Sequence, residues 1–146
     1  MHPRIEQAAY GYAVEIPDAA ASGAPVRIRS GERDGVHVLH AESPDRSEIY
    51  FELTVYPELR AHEALAASQS HYLHQHASDA SITAPEAIRI GDRAALAFDF
   101  RGTLDGQWKV RRFLFMDDVR TYRVVYDPRS PRNEEILTSL ELGRRS

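Results

Sequence analysis

Between residues 86 and 127 one pattern recurs four times, and it constrains the fold more than any other feature of the chain. Four strand candidates, 86–90, 93–101, 107–116 and 119–127, follow in quick succession, and the joins are Gly91-Asp92, Gly102-Thr103-Leu104-Asp105-Gly106 and Asp117-Asp118. Joins this short permit only antiparallel neighbours, because a parallel return needs a crossover of about a dozen residues or more. A four-stranded antiparallel meander is predicted.

Earlier segments add to the sheet. Tyr10, Tyr12, Val14 and Ile16 alternate with Gly11, Ala13 and Glu15 until Pro17-Asp18 ends the run. The aperiodic stretch 18–25 reads as a loop. Val26 and Ile28, then Val36 and Val38, flank the turn residues Gly31-Glu32-Arg33-Asp34-Gly35 as a hairpin. Over 48–56, Ile49, Phe51, Leu53 and Val55 share one strand face. After Pro57 the pattern becomes helical. Residues 58–77 contain no glycine or proline, which predicts a long helix. Ser130-Pro131 caps a second, short helix carrying Ile136, Leu137 and Leu140 and ending near Gly143.

Both faces of the later strands carry apolar residues: Leu96, Phe98 and Phe100 oppose Ala95 and Ala97, and Phe113 and Phe115 oppose Trp108, Val110, Leu114 and Met116. A sheet that is apolar on both sides needs a layer on each. The expected class is α+β, an antiparallel sheet of about six to eight strands between the long helix and the C-terminal helix, an α/β/α sandwich.

The 146 residues suit one domain over 1–146, and a composition of 42% hydrophobic and 27% charged residues is that of a folded soluble chain. Cysteine is absent, which removes disulfides, thiolate nucleophiles and cysteine-ligated metals. A formal charge of -4 argues against a broad surface tracking phosphates, so nucleic acid is not expected as a partner. The start, Met1-His2-Pro3-Arg4-Ile5-Glu6-Gln7, is charged where a signal peptide needs an apolar core, and no apolar run is long enough for a membrane span. A cytoplasmic protein without membrane contact is expected.

In its order of elements and in several local signatures the chain resembles the PsbP-like fold family, which includes the Mog-type Ran-binding protein and many small bacterial domains. The residues that carry the likeness are Tyr12-Ala13-Val14-Glu15-Ile16-Pro17, Tyr50-Phe51-Glu52-Leu53-Thr54-Val55 leading into the long helix, Gly91-Asp92-Arg93-Ala94-Ala95, and Tyr122-Arg123-Val124-Val125-Tyr126. Asp18-Ala19-Ala20 stands where bacterial members often carry a glycine-tryptophan pair. The resemblance implies an α/β/α sandwich and an interaction or accessory role, and it brings no catalytic residue set.

Four of the seven histidines fall on the long helix. His71 and His74 share one side, where the choice lies between a two-histidine metal site in need of further ligands and a solvated helix face. His62, Gln69 and His76 recur at intervals of seven along the apolar stripe of Leu59, Leu65, Ala66, Leu73 and Ala77. They suggest a polar seam between helix and sheet that binds a small molecule or moves a proton. Arg101, Arg112 and Arg123 form a second set of ligand-binding candidates, since guanidinium groups hold carboxylate or phosphate through paired hydrogen bonds. Asp99 is expected to meet Arg112 or Arg123 across strands. The chain has no His-Glu-x-x-His, Gly-x-Gly-x-x-Gly, Gly-Lys-Ser/Thr or Gly-x-Ser-x-Gly string. No catalytic residue, metal or cofactor is assigned. The expected function is a non-enzymatic binding or accessory domain whose partner is another protein or a second copy in a homodimer. The alternative is a small-molecule binder or enzyme built on the His62, Gln69 and His76 seam.

Overall fold

The computed structural model describes residues 3–44 and 48–143; Met1 and His2 of the charged N-terminal segment lie outside the described residues. Among the described residues eleven strands and two α-helices follow one another. They are β1 (Arg4–Gln7), β2 (Tyr12–Glu15), β3 (Arg27–Arg33), β4 (Val36–Glu42), β5 (Tyr50–Val55), α1 (His62–His76), β6 (Ser78–Ile82), β7 (Glu86–Ile90), β8 (Arg93–Leu104), β9 (Gln107–Asp117), β10 (Thr121–Tyr126), α2 (Pro131–Ser139) and β11 (Glu141–Leu142). The large sheet has eight antiparallel strands in the order β3-β4-β5-β10-β9-β8-β6, with β7 also paired to β8. A second sheet has the order β1-β2-β11.

The expected meander is present with tighter turns. Gly102, Thr103 and Leu104 stay in β8, and the chain reverses on Asp105-Gly106, both with left-handed backbone (φ 53° and 77°). The upstream hairpin likewise turns on Asp34-Gly35, which leaves Gly31, Glu32 and Arg33 inside β3.

The α/β/α sandwich is not what the chain builds. Helix α1 runs 15 residues, not the 20 of 58–77, and buries only Ala66 and Leu73. Its start is delayed because Thr121 holds the chain beside β10. The Thr121 carbonyl accepts from the Tyr56 amide at 2.9 Å, the Thr121 amide donates to the Glu58 carbonyl at 3.2 Å, and the Thr121 hydroxyl accepts from the Arg60 amide at 2.8 Å. Leu59, assigned to the apolar stripe, is 57% exposed in consequence. Past Ala77 the chain pairs with β8 at once as β6.

The other face of the large sheet is covered chiefly by strands. Segment 4–7 pairs with β2, and β11 pairs with Tyr12 and Ala13 on its other edge. The fold is therefore mostly β, a large antiparallel sheet backed by a small one, with two short helices.

Two apolar clusters follow from this layering. Tyr12, Val14 and Ile16 of the small sheet and Ile136 and Leu137 of α2 pack on Leu39, Phe51, Leu53, Leu114 and Val124. On the opposite face Ala66 and Leu73 meet Phe98, Phe100, Phe113, Phe115 and Val125. The Phe98 and Phe113 rings stack there with centroids 4.6 Å apart. Among the described residues no helix is long and apolar enough to cross a membrane.

Candidate functional site

The α1 side of the large sheet divides into two halves. Helix α1 packs on β6, β8 and β9 and closes the phenylalanine half. Toward β3 the same face stays open: in β4, His37, Leu39 and Ala41 are buried toward the small sheet, while Val36, Val38, His40 and Glu42 are only half-buried. All seven residues of β3 are exposed.

Arg123 stands at the boundary. It projects from β10 and donates to Gln69 Oε1 of α1 at 2.7 Å, to Glu52 Oε1 of β5 at 2.7 Å and to Thr54 Oγ1 at 3.0 Å. Its Nε is buried without a hydrogen-bond partner. Glu52 turns its other oxygen toward His40 Nδ1 at 3.4 Å. Burial pushes the Glu52 carboxyl up, but the His40 hydrogen bond and the Arg123 charge together outweigh it and hold the group below the usual glutamate range. His40 Nε2 lies 3.6 Å from Glu42 Oε2. A row of polar side chains, Arg123, Glu52, His40 and Glu42, thus runs across β10, β5 and β4.

The same face carries Arg111, which lies over the Tyr50 ring at 3.8 Å and 3.5 Å from the fully buried Asp127. Burial lowers the Arg111 pKa, against the opposing pull of Tyr50 and Asp127. Arg129 closes on Asp127 from outside at 2.7 Å. This knot joins the end of β10 to β9 and leaves its arginines engaged.

Of the residues predicted from sequence, the structure brings Gln69 and Arg123 together and separates the rest. His62 Nε2 donates to Asp117 Oδ1 at 2.7 Å, and the same oxygen accepts from Thr121 Oγ1 at 2.7 Å. His76 is exposed and its ring lies tilted against that of Tyr72, with centroids 4.3 Å apart. The seam is split because each group finds a different neighbour: a strand end, the sheet face and its own helix. Arg112 sits opposite Tyr126 on the small-sheet side, 3.5 Å from Asp99, which is the cross-strand pairing expected of Asp99. Arg101 is exposed opposite Val110 on that side too. An interval of eleven residues, two strands and a turn puts Arg112 and Arg123 on opposite faces.

His62 and Asp117 line a cleft of about 460 Å³ with Arg60, Ala87, Ala94 and Leu96. The hydroxyl nearest the pair, that of Thr121, is fully buried and already bonded on both sides. The dyad accordingly ties the start of α1 to the end of β9. His71 and His74 lie on the exposed side of the helix. Among the described residues no three of His, Asp and Glu gather as a metal site.

Sequence reasoning passed over Arg27, Arg29, Arg33 and His40. The available signal was the arginine at every second position of 27–29, continued at 33, in a strand whose apolar content is low. No protein-family model matches the chain, and no curated protein matches it.

Proposed function

We propose that this chain is a non-enzymatic protein-binding domain, and that its partner lays an acidic surface on the open half of the large sheet. One observation carries the reading. Among the described residues the face beside α1 is left without a covering layer, and it ends in an exposed strand whose Arg27 and Arg33 have no ionic partner there. Arg29 has only a distant one, Glu42 at 3.9 Å. Cations without partners on an open sheet face select carboxylates and steer their approach.

The alternative, a small molecule held at His62, has the cleft beside Asp117 in its favour. It lacks the other two members of the seam and any accessible nucleophile in the dyad.

Titration of the ¹⁵N-labelled chain with poly-glutamate tests the first reading against the second. Shifts of the His40, Glu52 and Arg123 amides that fade with added salt are expected. An unchanged spectrum, or shifts confined to Ala87, Ala94 and Leu96, would refute it.

A further inference from the structure

Among the described residues strand β3 is an outer edge of the large sheet, paired only with β4. The two strands meet in a two-residue turn, Asp34-Gly35, whose closing pair is Arg33 and Val36. That geometry sets the direction of every main-chain group along the edge. Arg33, Gly31, Arg29 and Arg27 bond inward to β4, and the N–H and C=O groups of Ile28, Ser30 and Glu32 point outward. Side chains follow the same alternation. Arg27, Arg29 and Arg33 rise on the open face, with Gly31 between the last two.

Gly31 leaves a gap in that row. A Cβ added there would meet nothing within 4 Å. The gap belongs to a depression of about 370 Å³ lined by Arg29, Gly31, Arg33, Val36, Val38 and His40. Val36 and Val38 are its apolar residues, Arg29 and Arg33 stand on either side of Gly31, and Ser30, Glu32 and His40 complete the lining.

Resting on the proposed function, we infer that the partner binds by adding an extended strand to β3, and that its residues alternate acid, any, apolar, any, acid. The outward groups of Ile28, Ser30 and Glu32 supply the main-chain ladder. The two carboxylates face Arg29 and Arg33, and the apolar side chain between them enters the notch above Val38. The pattern reads the same in both directions about Gly31, so either strand polarity satisfies it.

A second copy of this chain is not the occupant. In a two-fold antiparallel pair one residue must lie opposite itself, and for each of the seven residues of β3 that choice sets like charges face to face. Centring on Ile28 opposes Arg27 to Arg29, on Ser30 Arg27 to Arg33, on Gly31 Arg29 to Arg33, and on Glu32 that residue to itself. Centring on any of the arginines opposes it to its own copy. Like charges directly opposite weaken strand pairing. The edge is guarded against itself and open to an acidic strand.

The test uses the full chain, a blocked peptide Ser-Glu-Thr-Ile-Thr-Glu-Ser and its counterpart with lysine for both glutamates. The acidic peptide is expected to bind and to slow exchange of the Ile28, Ser30 and Glu32 amides, which only an added strand can protect. An R29E/R33E double variant is expected to lose about tenfold in affinity for it and to gain affinity for the lysine peptide. Gly31→Val, which fills the notch without touching the core, should weaken binding of the acidic peptide and leave that of a counterpart with serine for the isoleucine unchanged. If the acidic peptide shifts His40 and Arg123 but leaves Ile28, Ser30 and Glu32 exchanging freely, strand addition is wrong while the acidic-partner reading stands. If neither group responds, both fall.

Discussion

Replacing Arg123 by methionine keeps the aliphatic stem of the side chain and removes the guanidinium. Three hydrogen bonds go with it: the charged one to Glu52 at 2.7 Å and two to the neutral oxygens of Gln69 and Thr54. A hydrogen bond involving a charge contributes about 1.5–3 kcal/mol and a neutral one about 0.5–1.5 kcal/mol. Side-chain exposures of 16% for Arg123 and 20% for Glu52 mean that water screens the pair only in part. Gln69 can turn to solvent and recover its bond. A net loss of about 2–4 kcal/mol at pH 7 is expected, a large share of the total for a small domain.

The pH dependence separates this account from loss of packing. In the wild type the Glu52 carboxyl is held below its usual value, so its contribution is complete above about pH 4.3 and is lost as pH falls below that. In R123M the Arg123 charge and hydrogen bond no longer oppose burial, so the carboxyl takes up a proton at higher pH than in the wild type, and protonation relieves part of the penalty for burying it. The difference between the two proteins should therefore shrink from pH 7 to pH 4. Urea melts at low ionic strength measure it without the screening that guanidinium salt introduces. A loss under about 1 kcal/mol, or one equal at both pH values, would refute the argument.

Further expectations concern the layers that frame the open face. Leu73→Ala removes the one large buried side chain of α1 and should cost about 2–4 kcal/mol in urea melts, with faster amide exchange over the helix. Gly102→Val places a Cβ 3.0 Å from the Phe100 ring and 3.2 Å from the Ala80 backbone, and a thermal melt should show about 1–3 kcal/mol of destabilisation. His37 is 3% exposed and bonded to the Tyr12 hydroxyl at 2.7 Å, and burial lowers its pKa. The unfolded chain then takes up the proton more readily, so stability should fall as pH drops below about 6.5. His37→Gln should flatten that slope between pH 7 and pH 5, and equal slopes in the two proteins would contradict it.

Much of the sheet was legible in the sequence, for a local reason. Strand periodicity lies in neighbouring residues: the burial of Ile49, Phe51, Leu53 and Val55 on one face follows directly from their spacing. Turn chemistry is local too, although the left-handed pair that reverses the chain was Asp105-Gly106 rather than the wider glycine-bounded segment. Strands of four, five and two residues at Arg4–Gln7, Ser78–Ile82 and Glu141–Leu142 were missed, since segments so short carry little pattern and are strands only because a partner is beside them.

Pairing between distant segments decided the rest. The helix was shortened by Thr121, which binds Glu58 and Arg60 across some sixty positions, and no propensity within 58–77 reports that contact. The second layer of the fold was decided likewise, by β1 and β11 docking on β2 from opposite ends of the chain. For the candidate site, spacing placed Gln69 with His62 and His76 on one stripe, but the sheet joined it to Arg123 and Glu52, on strands 71 positions apart. Which arginines share a face depends on strand register, and which strand lies at the edge depends on strand order. Alternation along one strand settles the two sides of that strand, and only hydrogen bonding between strands settles which side meets which neighbour.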